Sequence, residues 1–305
     1  MGDKREVYWH LPGLCYFRFL NQVVINTMRQ YPDKFRKGYK IGSVYGTIPG
    51  AIWNGGRAVF GITGKPEVEK IVEAYNSKGV PVRFTWTNSL LEEKHLSDTY
   101  CNMIMKTADN GMNQVLVNRP VLEEYIRREY PGYQIISSTT KRMVNLETLK
   151  QELKKDYFLV VLDYDLNHNE EALRELSPMA DRLEILVNEI CYPNCPKRAE
   201  HYLDESRLQL EFDNRTAFRC PNKTYEKRNF AECMKRPAFI SNEEIESYID
   251  RGYVNFKIVG RGLPVDFVED SYLYFLVKDE EREFIRNVID KTLKEISRAQ
   301  KPVRR

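Results

Sequence analysis

From residue 66 to residue 187 the chain alternates between amphipathic stretches and short apolar runs, one run every 20 to 30 residues or so, and few folds accept that rhythm. Pro66 suits a helix N-terminus; the helix runs to Ser77, Gly79 closes it, and residues 81–87 read as a strand. The unit repeats: helical patterns at 91–109, 120–130, 146–154 and 170–176 lead to strands at 114–117, 134–137, 158–162 and 183–187. Upstream lie strand patterns at 39–45 and 58–62 with no helix between them, and downstream a strand at 255–259 and a helix at 280–296. The total is eight strands, the number that closes a parallel barrel, and Phe158-Leu-Val-Val-Leu has the unbroken apolar character of a strand covered on both faces. The expected fold is α/β: a (β/α)8 TIM-type barrel with an N-terminal helix and a cysteine-bearing insertion between strands 7 and 8. Residues 1–38 are expected as a helical segment, with Leu14, Phe17, Val24 and Met28 on one face, and residues 39–300 as the barrel, with the insertion at 189–250. A doubly wound open sheet is the alternative.

Strand seven ends in the densest chemistry of the chain. Asn188, Glu189, Cys191 and Cys195 follow it at once, and Cys220 and Cys233 come before strand eight, so four of the six cysteines cluster as Cys-x3-Cys-x24-Cys-x12-Cys. The start of the chain lacks the apolar core of a signal peptide and no apolar run is long enough to span a bilayer, which leads us to expect a cytoplasmic protein with no membrane partner. In that reducing setting clustered cysteines point to a metal site rather than to disulfides. Four thiolates from Cys191, Cys195, Cys220 and Cys233 suit a 4Fe-4S cluster or zinc, and spacing does not choose between them. Cys15 and Cys101 lie in apolar helical patterns and read as core. The formal charge of +3 demands no polyanionic partner.

Barrels build their sites from the loops after the strands. Those positions here carry Tyr45, Trp86, Asn118, Ser138, Thr139, Asp163, Asn188, Glu189 and the stretch from Lys257 to Arg261. We expect substrate to meet Asn188, Asp163, Arg261, Trp86 and Asn118. Asn188 and Glu189 alternate along the chain, so one faces the axis; the expectation is Asn188 inward, with Glu189, Arg198 and His201 supporting the cysteine loop. No Gly-x-Ser-x-Gly elbow or His-Glu-x-x-His zinc helix is present.

The phrase Leu-Glu-Ile-Leu-Val-Asn-Glu followed by cysteines, together with Asn-Phe-Lys-Ile-Val-Gly-Arg at 255–261, resembles the collagenase-like peptidase family U-thirty-two over about residues 39–261. Val259 stands where the family phrase carries an acid, and only three residues separate Cys191 from Cys195, which marks a divergent branch. The resemblance implies a barrel, an iron-sulfur cluster on the four cysteines, and oxygen-independent hydroxylation of a ring or nucleobase. The expected function is therefore an iron-sulfur redox enzyme acting on a small-molecule or nucleobase substrate, with a related partner subunit left open. The alternatives are a non-redox barrel with structural zinc that binds a ligand or partner, and, ranked last, a peptidase.

Overall fold

Eight parallel strands close into a barrel in chain order in the computed structural model, which describes residues 6–213, 215, 218–223, 228–260 and 262–299. They are β1 (Val7–Pro12), β2 (Tyr39–Gly46), β3 (Val82–Trp86), β4 (Gln114–Val117), β5 (Gln134–Ser137), β6 (Leu159–Val161), β7 (Leu183–Leu186) and β8 (Asn255–Lys257). Helices α1 (Arg18–Gln30), α2 (Lys65–Asn76), α3 (Thr99–Ala108), α4 (Pro120–Glu129), α5 (Leu146–Leu153) and α6 (Glu170–Leu176) fill the connections up to β7. The link from β7 to β8 carries α7 (Arg198–Glu211), α8 (Phe230–Cys233) and α9 (Asn242–Asp250); α10 (Val265–Leu276) and α11 (Arg282–Ala299) follow the last strand. No helix among the described residues is long and apolar enough to cross a membrane.

The strand count of eight holds, but one member differs. Residues 58–62, expected as a strand, form a loop with Ile62 91% exposed. Its backbone finds partners on α7 instead of on a neighbouring strand: Ala58 N–H donates to Glu205 Oε2 (2.6 Å) and Val59 N–H to Gln209 Oε1 (2.6 Å). The missing strand is β1, inside the segment expected to be wholly helical, and it pairs with β2 on one side and β8 on the other. The helix seen in the sequence is real but begins only at Arg18. With β1 in place, α1 covers the crossover to β2, and every consecutive strand pair has a helix between it.

Alternation sorts each strand between axis and shell. Val115 and Val117 join the large apolar layer under the helices, while Leu116 between them packs inside the barrel with Ile136, Leu159, Val161 and Leu186. Trp9 packs outward on Phe256 and Phe275, and its neighbour His10 points to the axis. Below the inner apolar cluster, at the N-terminal ends of the strands, the interior is ionic. Glu184 lies between Arg83 and Lys257, whose Nζ is 3.2 Å from Oε1, and all three are buried. Arg83 also donates to Gln114 Oε1 (2.9 Å) and to His10 Nδ1 (3.0 Å), which leaves the His10 proton on Nε2, toward Asn255 Oδ1 (3.3 Å). Burial, with Arg83 adding to it, drives the His10 pKa down to about 3, so the ring stays neutral.

Candidate functional site

Above the inner apolar cluster a cavity of about 130 Å³ opens at the C-terminal ends of the strands. Its floor includes Lys257 and Tyr45, with the Lys257 ammonium 4.1 Å from the centre of the Tyr45 ring and the Tyr45 hydroxyl donating to Ile258 O (2.7 Å). Thr85, Thr87, Ser138 and Thr139 supply hydroxyls around the rim.

The wall on the β7 side is built by charge. Arg198, the first residue of α7, donates from Nη1 to Asp163 Oδ1 (3.1 Å) and from Nη2 to Asp165 Oδ1 (2.7 Å) and Tyr192 O (2.8 Å), and its guanidinium stacks 3.7 Å above the Tyr164 ring. Arg142, from the loop after β5, pairs with the other oxygens of both aspartates at 3.2 and 3.0 Å. Two cations and two anions thus tie the β5, β6 and β7 loops into one unit. Burial pushes Asp163 above the usual carboxylate range despite its partners, whereas at Asp165 the Asn194 N–H and Arg198 outweigh burial and hold it below. Asp163 is therefore wall structure, its carboxylate engaged by arginines rather than offered to substrate.

Glu189 faces the cavity and Asn188 does not, the reverse of the expected orientation. Asn188 is fully buried behind the wall: its Nδ2 donates to Val259 O (3.1 Å) and Ser271 Oγ (3.2 Å), and its Oδ1 accepts from Val259 N–H (2.6 Å). It clasps the ends of β7 and β8 to α10. Glu189 does support the cysteine loop, accepting from Cys191 N–H (3.0 Å), but it also opens on the cavity. Burial raises its pKa, opposed only in part by that N–H and by Arg57 and Arg198.

The other expected residues divide. Trp86 is buried in the shell, its indole N–H directed at Met105 Sδ (3.0 Å), with Phe84 stacked on it and Trp53 edge-on. It is core, as a strand-end aromatic pointing away from the axis must be. Asn118 donates to Thr140 Oγ1 (2.9 Å) and fixes the loop after β5 instead of lining the cavity. Arg261 lies outside the described residues. His201 does reach the cavity, stacked face to face on Phe218 at 4.2 Å with Nε2 3.3 Å from Glu205.

Cys191, Cys195 and Cys220 share the cavity wall. Cys233 sits behind it, buried in α8 with its S–H donating to Asn188 O (3.2 Å). Among the described residues no three His, Cys, Asp or Glu side chains are grouped as a metal-holding set.

Arg57 was not legible as a site residue, yet it lines the cavity and reaches Glu205 (3.6 Å). The one signal was its loop, rich in Gly and Pro. A Cβ at Gly55 would stand 2.1 Å from the Thr87 backbone, so glycine is what lets this loop press on the end of β3 and deliver Arg57.

Fold and site together define a (β/α)8 barrel with a polar cavity at the C-terminal ends of its strands. The chain is 25% identical over 258 residues to a Methanocaldococcus jannaschii protein named uncharacterized protease MJ1657, a match spanning 80% of this chain and 74% of that one. Among solved structures it is similar to the U32 peptidase Mk0906, with a TM-score of 0.56 and 18% identity over 87% of this chain and 96% of that one. No family model matches. The chain thus shares its fold with a U32 peptidase, in line with the resemblance carried by its two phrases at β7 and β8. The expectation of an iron-sulfur redox enzyme hydroxylating a ring or nucleobase is overturned, since the relative is named a protease and the solved neighbour a peptidase.

Proposed function

We propose that this protein is a peptidase that hydrolyses an amide bond at the barrel mouth, with Glu189 as the proton-handling group. One observation carries the reading: a carboxyl raised by its burial opens on the same small cavity as the Lys257 ammonium. Amide hydrolysis needs a base to take a proton from water, an acid to return it to the leaving amine, and positive charge for the oxygen of the tetrahedral intermediate. Glu189 serves in turn as base and acid, a pKa drawn toward neutrality suiting both steps. Lys257, anchored by Glu184, presents a fixed cation to the carbonyl oxygen. The missing serine elbow and zinc helix agree with a route in which a carboxylate activates water directly.

The test is incubation of the full chain with a mixed peptide library, with new termini read by mass spectrometry. Cleavage is expected, and Glu189→Gln is expected to lower it by about 100-fold or more with an unchanged circular dichroism spectrum. A library left intact, or a Glu189→Gln protein of full activity, overturns the reading.

A further inference from the structure

Beside the mouth cavity runs a second, larger groove of about 650 Å³, within the range of ligand-binding clefts. Leu14, Phe17, Pro49, Val59, Leu263 and Pro264 make much of it apolar. It shares Tyr45 and Arg57 with the mouth cavity, so the two are joined at those side chains. At that junction the groove also receives Arg228.

Both arginines meet at Gly262. Arg228 donates from Nη1 to Gly262 O (2.7 Å), and a Cβ on Gly262 would stand 3.6 Å from Arg57 Nε. Neither guanidinium is saturated among the described residues. Arg228 Nε is buried with no hydrogen-bond partner, and Arg57 has only the 3.6 Å approach to Glu205. That glutamate is already engaged by Ala58 N–H (2.6 Å) and His201 (3.3 Å). Burial lowers the Arg228 pKa, and the Arg57 charge lowers it further. Like charges held together with donors to spare are stabilised by an anion, and two planar guanidiniums match the two oxygens of a carboxylate.

We propose that Arg57 and Arg228 form a carboxylate-binding subsite that anchors a peptide substrate through its C-terminal carboxylate or an acidic side chain, with the neighbouring apolar residues of the peptide in the groove. The proposal rests on the peptidase reading for the identity of the ligand, and Arg57, which faces Glu189 across the mouth cavity, would set the distance from the anchor to the bond cleaved.

The experiment measures binding separately from cleavage. Leucine-rich peptides ending in a free carboxylate or an amide, and carrying internal Glu or Gln, are titrated by calorimetry against the full chain and its Glu189→Gln variant, with N-acetyl-leucine and its amide as minimal probes. Replacing the recognised carboxylate by an amide is expected to weaken binding roughly 10- to 100-fold, as loss of a charge-assisted pair does. Arg228→Gln and Arg57→Gln are expected to remove that preference. Sensitivity to terminal amidation identifies the C-terminus as the anchor; sensitivity to Glu-to-Gln exchange identifies an acidic side chain. A carboxylate preference with no peptide cleaved keeps the subsite and removes the peptidase reading. Cleavage with no carboxylate preference in any probe, or a preference that survives both variants, overturns the subsite. The comparison of acid with amide on the unaltered chain holds even where a variant fails to fold.

Discussion

The two ends of the barrel interior use the same residue types to opposite effect. At the lower end, Glu184 is buried, and burial pushes its pKa up, yet Arg83 and Lys257 together outweigh that and hold it far below the usual carboxylate range. At the mouth, Glu189 has the Cys191 and Ile190 N–H groups and two more distant cations, and burial wins. A carboxylate held between close buried cations is scaffold. One without a close cation, in contact with a cavity, is where a ligand or a proton finds a place. Lys257 links the two, pairing below with Glu184 and reaching the cavity above.

The sharpest way to break this contrast is to remove the lower anion. Glu184→Ala leaves Arg83 and Lys257 buried without their shared counter-charge, and should cost about 3–5 kcal/mol in urea unfolding. A loss under about 1 kcal/mol would show that the lower network is not the scaffold. Next comes Glu189→Gln, which keeps an oxygen for Cys191 N–H. It should leave stability within about 1 kcal/mol while peptide cleavage falls by about 100-fold, measured as kcat/KM. A protein that unfolds instead places Glu189 with Glu184. Asn188→Ala removes a clasp behind the wall and strands the Val259 N–H; about 2 kcal/mol should be lost, with KM unchanged if the protein remains folded.

The smallest effect separates the two ends by sign. The folded His10 pKa of about 3 lies below its unfolded value near 6.5, so the unfolded chain binds more protons between them, and stability is lost as pH falls through that window. Glu184, depressed in the fold, adds to the loss below its unfolded value. Glu189 is raised, so the folded chain holds the extra proton and stability declines as pH rises past the unfolded carboxyl value. Urea midpoints recorded against pH should therefore show a weaker acid loss in His10→Gln and a steeper one in Glu189→Gln. Identical profiles would remove the distinction.

Much of the barrel was legible because its strands are short, apolar and evenly spaced, and the crossover rule leaves one way to close them. β1 was not. Its six residues carry an inward histidine and stand before a strongly amphipathic helix, and their worth as a strand comes from pairing with β8 nearly 250 positions away. The cysteine loop stood out by composition, and Cys191, Cys195, Cys220, Arg198 and His201 do meet at one cavity. Which way Asn188 and Glu189 point was beyond periodicity: alternation requires opposite faces without saying which faces inward, and the partners that decide it, Val259 and Ser271, lie far along the chain.

Local patterning, then, determined the strand-helix rhythm, the barrel and the end of it where polar residues and cysteines gather, because hydrophobic period and turn residues act within a few positions. Only the tertiary structure decided the ionic lower end, the inward glutamate and the pairing of Arg57 with Arg228. Burial and charge set what those side chains do, and both are sums over neighbours brought from every part of the sequence.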